Sequence, residues 1–197
     1  MKRGRLEAFS DGVLAIVITI MVLEMKVPHG TDWTVLSELW PVFLSYILSF
    51  VYIGIYWNNH HHLLSAVDHV NGSIMWTNLH LLFWLTLVPF VTGWMGENHF
   101  APVPTMLYGA VLLMAAIAYW ILQGRILAAQ PPESPLRREM GTDLKGKLSP
   151  LVYLTGIAAA YFVPMIAFGI YALVAVLWFV PDRRIERALR QSERHEL

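Results

Sequence analysis

Apolar positions in this chain fall in long runs separated by short polar breaks. The first run is uninterrupted from Gly12 to Leu23, between Phe9-Ser10-Asp11 and Glu24. At 1.5 Å per residue, a helix over 9–27 is about 28 Å long, the thickness of one bilayer core. The same reading predicts further segments over about 41–66, 74–95, 105–127, 148–162 and 165–180. Pro28 and Gly30 break the chain after the first, and Trp33 to Trp40 reads as a short interfacial stretch. The apolar stretch from Leu148 to Val180 is too long for one span and carries Pro164 near its middle, so it is expected to form a hairpin of two short helices.

Six spans make the charges fall on one side. Of the 14 lysines and arginines, all but Lys26 precede the first segment, lie at the end of the fourth or in the polar loop over 128–147 after it, or lie in a basic tail over 182–197. The positive-inside rule then places both termini in the cytoplasm. Composition agrees: 56% of residues are hydrophobic, 14% are charged, and the mean hydropathy is +0.51, a balance that suits a multi-pass membrane protein. The chain contains no cysteine, which excludes disulfides, thiolate metal sites and thiol catalysis. Asp11 and Glu24 flank the first run without a small-residue cleavage pattern, so it does not read as a cleavable signal.

Two features of the first segment carry the chemistry. Asp11 sits where a spanning helix leaves water, at a cost of roughly 2.5–3.5 kcal/mol, so it is expected to face a protein interior or a wet cavity with a partner, for which Arg5, an imidazole and the Asn78 amide are suitable donors. Ile20 and Leu23 lie within about 40° of Ile16 on the helix, with Thr19 on their flank. Such a stripe, taken alone, reads as ordinary helix packing, and a helical Thr commonly bonds its own backbone four residues back. Glu24 and Lys26 lie at the outer end. A ring of Glu24 would attract cations, and snorkelled interfacial charges are the plainer reading.

Arg5-x-x-x-Phe9-Ser10-Asp11-Gly12-Val13-x-Ala15-Ile16-x-x-Thr19, ending in Leu23-Glu24, resembles the signature of the transmembrane protein 175 family of potassium channels. Trp57 with the histidines after it fits as well, as does Trp76-x-Asn78-x-x-Leu82-Phe83 leading to Pro89-Phe90. The resemblance implies a prokaryotic-type member with a single six-helix repeat, in a prokaryotic cytoplasmic membrane. It further implies an all-α homotetramer that passes K⁺ passively, and other monovalent cations more weakly, with lipid as its surroundings. Ile16, Ile20 and Leu23 would form the pore constriction, Thr19 would stand beside it, and Glu24 would charge the outer mouth. Arg5, Phe9, Ser10, Asp11, Trp57, His60, His61, Trp76 and Asn78 would form a polar network bracing the helices, with direct ion coordination by Asp11 as the alternative role. No cofactor is expected. The chain has no TVGYG-like loop to offer backbone carbonyls, so selectivity would arise from partial dehydration at apolar rings.

The run His60-His61-His62 also suggests a metal or, with His80, a haem. Three consecutive helical residues fan across about 200°, however, and H-E-x-x-H is absent. Protonation of these histidines as a pH sensor is a further possibility that the sequence leaves open. An ion- or proton-coupled secondary transporter is the main rival. That class is expected to show internal repeats, broken helices and an ionisable midplane site, whereas Pro89 and Pro164 are the visible interruptions. A membrane enzyme would need a nucleophile with a base, which the asparagines beside the histidines do not supply.

Overall fold

The computed structural model describes residues 2–65, 67, 69–131 and 144–179. They form an all-α bundle: α1 (Arg3–Leu23), α2 (Trp33–Glu38), α3 (Trp40–Ser65), α4 (Gly72–Thr86), α5 (Val88–Glu97), α6 (Pro102–Ala129), α7 (Leu144–Phe162) and α8 (Pro164–Phe179). Arg3–Leu23, Trp40–Ser65, the α4–α5 pair over Gly72–Glu97, and Pro102–Ala129 are each long and apolar enough to cross a membrane. Leu148–Phe162 and Pro164–Phe179 are apolar but shorter. Most of the loop expected over 128–147, and all of the tail expected over 182–197, lie outside the described residues.

Helix α1 starts six residues before the expected position, because Leu6 is buried and extends the packed face below Ser10. The Arg3 side chain also donates to the carbonyl of Ser65 at 2.7 Å, tying the first turn to the end of α3. The helix stops at Leu23 rather than Val27, with the Glu24 amide bonded back to Ile20. Pro28 disfavours helical backbone at the residue before it, and Gly30 takes a φ of 137° that a side chain would strain.

The segment expected over 74–95 is two helices, not one. Pro89 has no amide to give Leu85, and its ring crowds that carbonyl. The ladder therefore breaks at Leu87, whose own amide turns back to Trp84 at 3.2 Å. Val91 resumes the pattern on the Leu87 carbonyl, also at 3.2 Å, so the two pieces continue one another across the break. Asn71 caps the start of α4, its side chain accepting from the Ile74 amide at 2.9 Å. The expected turn before Pro164 falls at Val163, between α7 and α8.

A spine of buried hydroxyls runs through the core. Tyr108 and Thr92 flank Ser49, with oxygen–oxygen distances of 3.0 and 2.7 Å, and Thr92 donates to the Val88 carbonyl. Tyr52 donates to the carbonyl of Tyr171 at 2.6 Å, joining α3 to α8. The Tyr171 ring is wedged between Gly109 of α6 and Gly156 of α7, where a Cβ at either glycine would collide with it. Small residues here let three helices close around one large ring.

This wedge yields a direct test. Gly156→Val should lower stability by about 1–3 kcal/mol through overpacking, read as a lower thermal midpoint in detergent. Gly93→Ala, at a site with open space around the α5 glycine, should leave the midpoint nearly unchanged. Equal effects from the two substitutions would contradict the packing described.

Candidate functional site

The rotation of α1 determines what it presents. Leu6, Ser10, Leu14, Val17 and Met21 form its buried face, against α3, α4 and α5. At 100° per residue they lie within about 40° of Ser10, and Ile16 lies about 120° away. Ile16 is accordingly 60% exposed and Leu23 75% exposed, and Phe9, Ile20, Thr19 and Glu24 are exposed with them. The stripe that reads as ordinary packing in the sequence is thus not packed within the chain. Ile16 and Ile20 border a cleft whose far wall is Thr86, Pro89 and Phe90, beside the α4–α5 break. Thr19 donates to the Ala15 carbonyl at 2.8 Å, the backbone role its position suggests.

On the packed side, one chain of hydrogen bonds joins three helices. His60 and Asn78 meet at 2.6 Å through Nε2 and Oδ1. The Asn78 amide nitrogen donates to Ser10 Oγ at 3.0 Å, and Ser10 donates to the Leu6 carbonyl at 2.9 Å. With Asn78 Oδ1 as acceptor, His60 Nε2 carries the proton. All three side chains are buried, His60 at 1% exposure. Polar groups so enclosed must be bonded or they cost stability, so the chain of bonds holds α1, α3 and α4 in one relative rotation.

A second, more exposed set lies alongside. Trp57 Nε1 donates to Asp11 Oδ1 at 3.0 Å. His61 stacks on Trp57 with ring centroids 6.3 Å apart, and its Nδ1 lies 2.8 Å from Glu7 Oε1. Glu7 also faces Arg3 at 4.0 Å. Two carboxylates one turn apart on α1 therefore hold two rings one turn apart on α3. Asp11 lies on the flank of α1 turned toward α3, well away from the Ile16 stripe.

Sequence reasoning named six members of these two sets: Ser10, Asp11, Trp57, His60, His61 and Asn78. It missed Glu7, although the i, i+4 spacing of Glu7 and Asp11 was there to be read. The structure does not bring Arg5 or Trp76 into either set, since Arg5 is exposed and the Trp76 ring is on the outside of α4. Asp11 bonds to the Trp57 indole instead of to Arg5, an imidazole or Asn78. His80, a candidate haem ligand in the sequence, accepts from the Trp84 indole at 3.0 Å. Among the described residues, no three His, Asp or Glu side chains are grouped to hold a metal.

At the far end of α1, Lys26 pairs with Glu97 at 2.8 Å. The carboxylate beside it raises the lysine pKa above its usual value. The pair is exposed, so it orients the chain beyond α1 more than it stabilises the fold.

Comparison with known proteins places this geometry in context. Residues 5–89 match the family described as "Endosomal/lysosomal potassium channel TMEM175". The chain is 54% identical over 192 residues to a potassium channel of Chryseobacterium sp. (strain P1-3), covering 98% of this chain and 100% of that one. It is 34% identical to a potassium channel of Chamaesiphon minutus, over 88% of this chain and 91% of the other. Its fold is similar to the crystal structure of a lysosomal potassium-selective channel TMEM175 homolog from Chamaesiphon minutus. There the TM-score is 0.77 at 31% identity, over 89% of this chain and 95% of that one.

The two bonded sets should respond differently to substitution. Asn78→Leu leaves a buried imidazole N–H and a buried hydroxyl without their partner, and should cost about 1–3 kcal/mol in denaturant unfolding. Trp57→Phe removes a half-exposed bond whose acceptor water can reach, and should cost less. The reverse order would contradict the assignment of Asn78 as the internal tie.

Proposed function

The chain belongs to the TMEM175 family of potassium channels, and from that premise we propose a passive K⁺ conduit whose pore is lined by α1. The observation that carries this reading is the orientation of α1. Its polar and apolar contacts to α3, α4 and α5 occupy one face, and an apolar stripe of Ile16, Ile20 and Leu23 is left uncovered. A path on a symmetry axis needs one helix from each copy, and closed symmetry is the norm for homo-oligomers. The potassium-channel relatives support K⁺ conduction, and for the assembly around the axis we take a homotetramer.

Rings of isoleucine and leucine act on an ion by making it shed part of its water, or by letting the passage dewet. K⁺ holds its hydration shell less tightly than Na⁺, so the ring favours K⁺ modestly, and other monovalent cations pass more weakly. Glu24, exposed at the end of α1, would concentrate cations at the mouth. The bond chain from Ser10 through Asn78 to His60, with the Asp11–Trp57 contact beside it, would set how far each stripe projects toward the axis. In this reading α7 and α8 complete six spans, and both termini are cytoplasmic, in a prokaryotic plasma membrane with lipid around the bundle.

Flux through the purified protein in liposomes tests the reading. Wild type should pass K⁺ in preference to Na⁺ without saturation. Ile16→Asn, which offers amides to a partly dehydrated ion, should conduct severalfold more with less discrimination. Unchanged flux in Ile16→Asn would remove α1 from the pore, and saturable flux that requires a second ion would favour a coupled transporter.

A further inference from the structure

Between Arg5 and Arg125 the chain carries a single lysine or arginine, Lys26. In the six-span reading it shares the outer side with Glu24, Asp32, Glu38 and Glu97, two residues beyond the carboxylate at the pore mouth. A bare cation there would oppose the field that Glu24 supplies. The structure gives this lysine a partner, its Nζ lying 2.8 Å from Glu97 Oε1 at the end of α5.

The two ends of that pair are unequally held. Lys26 follows the last turn of α1, where the Met25 amide reaches back to the Val22 carbonyl at 3.3 Å, and its side chain is 80% exposed. Glu97 is 44% exposed and stands on a fixed platform. Gly96 before it lies so close to α3 that a Cβ would collide with the backbone of Val42 and with Ser45. After it the chain turns through His99 and Phe100, both in the left-handed region at φ 51° and 57°. Such backbone costs about 1–3 kcal/mol per residue and persists where packing holds it. Phe100 supplies that packing: it is buried, with its ring 5.6 Å from that of Trp40 and 4.9 Å from that of Phe168. Glu97 is thus the fixed member, and Lys26 is the arm drawn toward α5, which packs against α1 while the Ile16 side stays exposed.

We propose that Lys26 and Glu97 form a charge clamp at the outer mouth, in which Glu97 offsets the lysine and holds it off the axis so that Glu24 sets the local field. The clamp rests on the reading of α1 as the pore helix. Glu24, Lys26 and Glu97 together offer an entering K⁺ one net negative charge per subunit. Removing the Glu97 charge brings that sum to zero and releases the lysine toward the passage.

Inward K⁺ current in patches from giant bacterial spheroplasts, whose outer face is known, tests this. At about 20 mM outer K⁺, where the screening length is roughly 20 Å, Glu97→Gln should lower inward current about twofold or more, and outward current less. At about 1 M, where that length is roughly 3 Å, the difference should vanish. Lys26→Gln alone should raise inward current. Combined with Glu97→Gln it should restore the wild-type value, since the pair it removes has no net charge, and a misfolded variant could not be rescued in this way. Glu38→Gln, which removes an outer carboxylate on α2, should leave the current unchanged. In a channel that responds to Ile16→Asn, an inward current unaffected by Glu97→Gln would overturn the clamp alone. So would a loss that persists at high salt, one that Lys26→Gln fails to reverse, or an equal loss in Glu38→Gln. A silent wild type, or flux indifferent to Ile16→Asn, would overturn the pore reading and the clamp with it.

Discussion

The buried bond between Asn78 and Ser10 fixes what the rest of the molecule can present. It joins the middle of α4 to the packed face of α1, and the contact from Asn78 to His60 brings in α3. In an apolar interior, a hydrogen bond has a definite direction where side-chain packing tolerates small rotations. Turning α1 by one residue would withdraw Ser10 from Asn78 and bury Ile16 in its place. The outward face of α1 is therefore a consequence of an inward polar contact.

That coupling gives the two halves of the structure separate tasks. Helices α6, α7 and α8 form a tightly closed body around Tyr171, Gly109 and Gly156, and the Tyr52–Tyr171 bond carries α3 into it. Helix α1 packs on α3, α4 and α5 through one face and leaves the Ile16 side exposed. The α4–α5 break at Leu87 places Thr86, Pro89 and Phe90 next to Ile16 and Ile20, so the one irregularity in the long α4–α5 pair lies beside the apolar stripe. Ile16, Ile20 and Leu23 are left exposed on the side of α1 away from Ser10, with Thr86, Pro89 and Phe90 across the cleft from the first two.

Much of this was legible in the sequence. The apolar runs marked where the long helices lie, and Pro164 marked the turn of the last hairpin. The family resemblance grouped Ser10, Asp11, Trp57, His60, His61 and Asn78, which the structure joins by contacts, together with Arg5, Phe9 and Trp76, which lie exposed. The break at Leu87 was less visible, since Pro89 near the end of an apolar run also fits a helix terminus. Pairings were not legible at all. Asp11 had Arg5, an imidazole and an amide as plausible donors, and the indole of Trp57 made the bond because α3 crosses α1 with that residue facing it. Glu7 escaped notice because an acidic residue near a basic N-terminus reads as a solvated charge.

Because the chain lacks cysteine, single thiols can report where α1 stands in the assembly. In liposomes containing Ile16→Cys or Ile20→Cys, a water-soluble cationic thiol reagent should block K⁺ flux, and mild oxidation should link subunits through Ile16→Cys. Leu14→Cys, on the packed face, should remain unreactive. If Ile16→Cys instead reacts with membrane-dissolved reagents alone and its flux is unaffected, the stripe faces lipid and the proposed pore is wrong.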